Sequence, residues 1–220
     1  MGVIMVNNPC VIIATDQRLS ITTTNIKLLM AQGVKVVLVV SDTNEKQYFD
    51  QFPIHVILHP NHPLGAKWQA GVDYERQFDP SHIVITGSDD LLSKNFFEKN
   101  CNHYPCVGFN QWFVWSNGKL YLLEYKPEQP LGGGRIYFRD KLKELDYQLF
   151  DKSKNKLLDD FAWYKSNSWV VYKEPEILAI KGNWPVMNPV DLKHKNVKLI
   201  ATYENDEALK IMKERFNYAP

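Results

Sequence analysis

Four short apolar runs, separated by segments of helical length, constrain the fold of this chain more than any other feature. Val11-Ile12-Ile13-Ala14-Thr15 is continuous and apolar, as expected of a strand covered on both faces. A helix follows over 22–32, with Ile26, Leu29 and Met30 on one side and Gly33 just past its end. The second strand spans 34–40 and closes on Ser41-Asp42. A polar helix over 45–51, a short strand over 55–58, a helix over 65–78 and a strand over 82–86 complete the pattern. This β-α-β-α order predicts an α/β fold with a mostly parallel sheet and helices on both faces.

The second half changes character. Residues 113–115 and 119–123 flank Ser116-Asn117-Gly118, a hairpin signal, because Asn-Gly accepts the positive φ angles of a type I′ turn. Gly132-Gly133-Gly134 reads as a loop leading into a helix over 137–150, where Phe138, Leu142, Leu145 and Leu149 recur at helical spacing. A short helix over 156–165, a strand over 177–180, a loop over 182–189, a strand over 197–202 and a charged helix over 206–216 follow. At 220 residues the chain reads as one domain. Residues 9–110 form the nucleotide-binding half and residues 111–220 a mixed acceptor-side half.

Composition excludes several function classes. A net charge of +1 gives no electrostatic case for nucleic acid or a membrane surface. Cys10, Cys101 and Cys106 match no disulfide framework, which fits a reducing compartment. Cys101, His103 and Cys106 lack an obvious fourth ligand for zinc. The first ten residues have no basic region preceding an apolar core, and no run approaches membrane-spanning length. A soluble, cytoplasmic protein is expected.

Gly87-Ser88-Asp89-Asp90 ends the fourth strand and delivers two adjacent carboxylates to its carboxyl edge. Ligands of open α/β sheets bind in the crevice outside such edges. Neighbouring carboxylates repel unless a cation or hydrogen-bond donors compensate them, and Mn²⁺ or Mg²⁺ carrying a phosphorylated ligand would do so. The plain alternative is a solvated turn in which Ser93 caps a helix over 94–99.

Other strand-end loops carry polar residues of the right kind. Thr15-Asp16-Gln17-Arg18 follows the first strand. Arg18 suits a phosphate, and Asp42, after the second, suits a base N–H. Further on, Pro63 and Gly65 punctuate a helix start, and Lys67 lies within its first turn. A cation there works against the helix dipole and is better explained by an anion within reach. No G-x-G-x-x-G follows the first strand and no P-loop is present, which counts against a dehydrogenase or a P-loop NTPase.

The run Pro63-Leu64-Gly65-x-Lys67-Trp68-Gln69, about twenty residues before Gly87-Ser88-Asp89-Asp90, resembles the nucleotide-sugar half of GT-A glycosyltransferases. It is most similar to small viral and bacterial members, among them the chlorella-virus enzymes that decorate a capsid glycoprotein. The resemblance implies Asp90 as direct metal ligand and Asp89 as ribose or metal-water contact, with Ser88 where the family carries its first acid. It places Thr15, Asp16, Arg18 and Asp42 around a uridine, and Gly65 and Lys67 beside the donor. Gly133, Gly134 and Arg135 resemble the glycine-rich loop beneath the transferred sugar. Leu158-Asp159-Asp160-Phe161 resembles the acidic pair that supplies the general base in inverting members. At about 100° per residue Asp160 falls nearer the border of the apolar face than Asp159, which favours Asp160 as the base. Trp184 would wall the sugar site, Lys181 would meet a phosphate, and His194 would complete the metal site.

The resulting expectation is a hexosyltransferase that moves a sugar from a UDP-sugar, with Mn²⁺ or Mg²⁺ and with inversion, to a glycan or glycoprotein hydroxyl. Two rivals stand beside it. One is a sugar-phosphate nucleotidyltransferase, which normally carries a Gly-rich, Arg- and Lys-containing loop that Thr15–Ser20 does not reproduce. The other is a catalytically silent nucleotide- or carbohydrate-binding module.

Overall fold

In the computed structural model the four apolar runs become parallel strands β1 (Pro9–Ala14), β2 (Lys35–Val40), β3 (His55–Leu58) and β4 (His82–Gly87). Between them lie α1 (Leu19–Ala31), α2 (Thr43–Phe49) and α3 (Leu64–Arg76). The chain continues through β5 (Asp90–Leu92), β6 (Cys106–Phe109), β7 (Gln111–Ser116), β8 (Lys119–Tyr125), β9 (Arg135–Phe138) and α4 (Arg139–Glu144). It ends with β10 (Trp169–Tyr172), β11 (Ile177–Ile180), β12 (Val197–Glu204) and α5 (Asn205–Phe216). The structure describes residues 8–97, 104–125, 130–155, 162, 165, 169–181 and 196–220.

Among the described residues the strands form two sheets. The larger has the order β10-β6-β9-β4-β1-β2-β3. Its strands run parallel except β9, which is antiparallel to both β4 and β6. Ile26 and Leu29 of α1 and Phe49 of α2 pack with Val11, Ile13, Val36 and Leu38 on one face. Val72 of α3 and Leu142 of α4 pack with Ile12, Val37, Ile83 and Ile85 on the other. The expected α/β class, with a parallel-rich sheet flanked by helices, is thus the observed one. No helix among the described residues is long and apolar enough to cross a membrane.

The strand order contains the feature that positions a site. Connections run β1 to β2 to β3 in one direction, and the chain then returns to place β4 on the other side of β1. Ala14, the last residue of β1, is register partner to Gly87, the last of β4. The crevice at such a reversal is where open α/β sheets receive ligands. The second sheet, β12-β8-β7-β11-β5, starts from this point, because Asp90 opens β5 three residues after β4 ends. Its inner face packs Leu91, Phe113, Leu178 and Ile180 against Met212 and Phe216 of α5 and Ile21 of α1.

The hairpin at Ser116-Asn117-Gly118 forms as expected, with φ of 51° at Asn117 and 74° at Gly118. Two expectations are corrected. The helix over 137–150 is only α4, because Ile136 and Tyr137 pair with β4 on one side and β6 on the other. Asp146 and Tyr147 then adopt positive φ and end the helix. Gln69 of α3 accepts from the N–H groups of Leu149 and Phe150 and donates to the Tyr147 carbonyl, holding this segment irregular. The helix over 94–99 is also replaced, since residues 94–97 form turns. Ser93 caps nothing there and instead donates its hydroxyl to Glu176. Most of the helix expected over 156–165, and the loop over 182–189, lie outside the described residues.

Candidate functional site

The acidic turn after β4 is buried. Ser88 and Asp89 are 3% and 5% exposed, so the solvated-turn alternative does not describe it. Asn25 of α1, itself fully buried, shapes the turn. Its side-chain amide donates to the carbonyls of Gly87 at 3.2 Å, Ser88 at 3.5 Å and Asp90 at 3.1 Å. The Thr86 hydroxyl also donates to the Asp90 carbonyl, at 3.1 Å. Sequence reasoning missed Asn25, because a polar residue inside an amphipathic helix carries no motif.

Asp89 meets two cations. Arg18 Nη1 lies 3.1 Å from Oδ1, and Lys181 Nζ lies 2.6 Å from Oδ2. Arg18 comes from the end of β1 and Lys181 from the end of β11, so the pairing closes the crevice from both sheets. Burial acts to lower the Lys181 pKa, but the charges of Asp90 and Asp89 and the hydrogen bond to Asp89 outweigh it and raise it. Arg18 is also the N-cap residue of α1. No side chain caps that helix and no acidic residue occupies its first turn. Its positive end, open and next to Arg18, suits an anion.

Asp90 has a different environment. A Cβ on Gly87 would lie 2.5 Å from Asp90 Oδ2, and one on Gly133 would lie 2.9 Å from it. The carboxyl is therefore packed between two glycine backbones. Burial, then the Asp89 charge, raise its pKa to about 6, against the opposing effects of Lys181, the Gly87 backbone and Arg18. The glycine-rich segment does reach the acidic turn, as Gly133 against Asp90 and through the Gly134 N–H, which donates to Ile85 at 2.7 Å. Arg135 lies in β9 and donates to the carbonyls of Leu131 at 2.8 Å and Pro130 at 3.4 Å.

Lys67 is engaged within the protein. It is 1% exposed, and Nζ donates to the Thr15 carbonyl, to Ser41 Oγ and to Asn61 Oδ1. Its three protons are spent on the loops that follow β1, β2 and β3. Burial lowers its pKa, with the charges of Asp16, Glu45 and Asp42 opposing. The start of α3 is closed as well: Leu64 N–H donates to Asn155 Oδ1 at 2.8 Å and Gly65 N–H to the Lys154 carbonyl at 2.9 Å. A Cβ on Gly65 would collide with the Asp151 carbonyl, so this glycine permits close packing.

The remaining loop residues support the same frame. Asp42 is the N-cap of α2, its Oδ1 accepting from the N–H groups of Asn44 at 2.8 Å and Glu45 at 2.9 Å. Asp16 Oδ2 accepts from Asn61 at 3.0 Å, and the Thr15 hydroxyl meets Thr22 at 2.9 Å. Glu45, which sequence reasoning did not single out, is 4% exposed and accepts from the N–H groups of Gln17 at 2.7 Å and Ser41 at 3.2 Å. Asp159, Asp160, Trp184 and His194 lie outside the described residues, as do Cys101 and His103. Cys106 is buried in the larger sheet. Among the described residues no three His, Cys, Asp or Glu side chains gather as a ready metal site. The raised Asp90 and the neighbouring Asp89 nevertheless fit a divalent cation that brings most of its ligands with it, as a phosphate-bound ion does.

No family model matches the chain, and no curated protein does. Among solved structures it is similar to CMP:2-keto-3-deoxy-manno-octonic acid synthetase complexed with CTP, at 13% identity over 77% of this chain and 91% of that one, with a TM-score of 0.50. It also matches the bifunctional IspDF from Campylobacter jejuni, at 12% identity, 77% and 50% coverage and a TM-score of 0.48. A third match is HddC from Yersinia pseudotuberculosis, at 13% identity, 79% and 89% coverage and a TM-score of 0.43. At such identities a likeness speaks for the fold alone, and the first of the three carries it.

That fold is shared with a CTP-bound synthetase, which overturns the GT-A glycosyltransferase expectation. The hexosyltransferase class, the UDP-sugar donor and the glycan or glycoprotein acceptor are corrected with it. The physical reason lies in the motif that suggested them. Gly65 packs against Asp151, Lys67 ties three strand ends together, and Gln69 holds the 147–150 backbone. Pro63–Gln69 is thus committed to internal structure, whichever ligand the crevice takes.

Proposed function

We propose that the chain is a sugar-phosphate nucleotidyltransferase that takes a nucleoside triphosphate, CTP or a related one, and releases pyrophosphate. The observation that carries this reading is the meeting of Arg18, Lys181 and Asp89 at the reversal between β1 and β4, beneath the uncapped start of α1. Two cations and a helix N-terminus are groups that receive phosphate oxygens. The CTP complex of the synthetase with this fold agrees with it. The loop after β1 is short and lacks the Gly-rich, basic sequence usual in such enzymes. Here Lys181 supplies from the second sheet the charge that this loop does not carry.

In the proposed reaction a phosphate oxygen of the sugar phosphate attacks the α-phosphorus of the nucleotide. A new P–O bond forms, the bond from the α-phosphorus to its bridging oxygen breaks, and pyrophosphate departs with the electron pair. Arg18 and Lys181 stabilise the charge that develops on the leaving group. Asp90, with Asp89, would hold Mg²⁺ or Mn²⁺, which supplies further neutralisation on the phosphates. Asp16 and Asp42, at the ends of β1 and β2, stand on the side where the base and ribose would lie.

The test is pyrophosphate release from each of the four nucleoside triphosphates with a panel of sugar phosphates and Mg²⁺. Release that requires one triphosphate and one sugar phosphate is expected. Triphosphate binding without release under any combination would leave a binding module, and absence of triphosphate binding would remove the reading altogether.

A further inference from the structure

Asp89 neutralises the two cations best placed to receive a triphosphate. Its carboxylate is 5% exposed, and each of its oxygens is assigned to a different cation. Arg18 and Lys181 are each about a quarter exposed at the side chain, so both face the crevice while bound to it. With Asp90 ionised as well, the two acids and two bases sum to no net charge. A bare triphosphate entering this site must compete with Asp89 for both cations and gains no surplus positive charge. A triphosphate that carries a divalent ion brings a competitor for the carboxylates. As the ion engages Asp89 and Asp90, Arg18 and Lys181 are freed for the phosphates.

We infer that Asp89 is a latch on Arg18 and Lys181, which makes the site selective for metal-loaded triphosphate over the free anion. This rests on the nucleotidyltransferase reading for the identity of the ligand, but the latch itself is a property of Arg18, Lys181 and Asp89. It assigns Asp89 a role beyond holding the ion: the residue keeps two phosphate-binding cations out of reach until the ion arrives.

Calorimetric titration with inorganic triphosphate and with CTP, each in EDTA and in Mg²⁺, tests the latch. The wild type should bind both probes at least about tenfold more tightly with Mg²⁺, equivalent to about 1.4 kcal/mol. Asp89→Asn should tighten binding in EDTA by about tenfold and shrink the difference between the two conditions to a few-fold. Arg18→Gln should weaken binding in Mg²⁺ by about tenfold and binding in EDTA much less, because Asp89 already withholds that guanidinium and only the site's net charge changes. In the Asp89→Asn background, Arg18→Gln should cancel the gain in EDTA.

The latch is overturned if Asp89→Asn leaves binding in EDTA unchanged or weakens it. It is equally overturned if Arg18→Gln weakens both conditions alike. Should Asp89→Asn not fold, as judged by circular dichroism, Arg18→Gln and Lys181→Met decide by the same asymmetry. The inorganic probe separates the two ideas. The expected pattern with inorganic triphosphate, together with no pyrophosphate release from any of the four nucleoside triphosphates, would uphold the latch and remove the nucleotidyltransferase reading. CTP binding without the pattern would do the reverse.

Discussion

Asn25 and Asp90 are joined by a hydrogen bond of 3.1 Å, from the amide of a buried α1 side chain to the carbonyl that opens β5. Because the same amide also reaches Gly87 and Ser88, one side chain fixes the acidic turn to the helix whose N-cap residue, Arg18, pairs with Asp89. Replacing Asn25 by Leu keeps its size and removes the donor from three carbonyls. A loss of about 1–3 kcal/mol is expected in urea unfolding, the cost of leaving buried acceptors unpaired. Because the turn loses its anchor, Mg²⁺-dependent stabilisation by CTP should fall as well.

Lys67→Met separates a structural ammonium from a phosphate ligand. With its three protons spent on Thr15, Ser41 and Asn61, its removal should cost about 1–3 kcal/mol of stability with or without nucleotide. Unchanged stability accompanied by lost nucleotide affinity would mean that the ammonium reaches the ligand.

Gly133→Ala places a methyl group 2.9 Å from Asp90 Oδ2. The carboxyl must turn away, and the affinity for Mg²⁺ measured in the presence of CTP should drop about tenfold, or about 1.4 kcal/mol. A titration showing no change would dissociate the glycine loop from the acidic turn.

Two buried groups give opposing pH slopes. Burial lowers His82 from 6.5 to about 4, so acid protonates the unfolded chain first, and stability falls as pH drops through that interval. Burial and Asp89 raise Asp90 from 3.8 to about 6, so its contribution is full below 3.8 and lost as pH rises through 6. Each amounts to about 3 kcal/mol at most, and in the wild type they largely cancel between pH 4 and 6. Asp90→Asn should expose the His82 slope and His82→Gln the Asp90 slope, both readable as urea midpoints against pH.

Asp42→Ala should cost about 1 kcal/mol through loss of the α2 cap, and Asp42→Ser should recover most of it. Thermal melts of the two variants settle the size of the capping contribution.

The larger sheet was legible from the sequence because its determinants are local. Runs such as Val11–Ala14 are apolar throughout, and Gly33 marks a helix end within a few residues. Strands β5, β6, β9 and β10 were not legible, because each is only three or four residues long and depends on distant partners. Ile136 and Tyr137 sit in a segment of helical periodicity, and pairing on both sides overrides it. The candidate site divides the same way. The acidic turn and Arg18 stand out as residue types at a strand end. The Asp89–Lys181 contact spans 92 positions and has no signature in spacing. Lys67 shows the converse: a cation in the first turn of a helix draws attention as an anion ligand, and only the three acceptors around it reveal its occupation.

Gly87 closes a strand of one sheet and Asp90 opens a strand of the other, so the acidic turn is the spine between two leaves. Arg18 is mounted on one leaf and Lys181 on the other. Any tilt of the smaller leaf therefore changes the span between the two cations. An anion held by both cations would feel whatever crowds or vacates that side as a change in charge spacing.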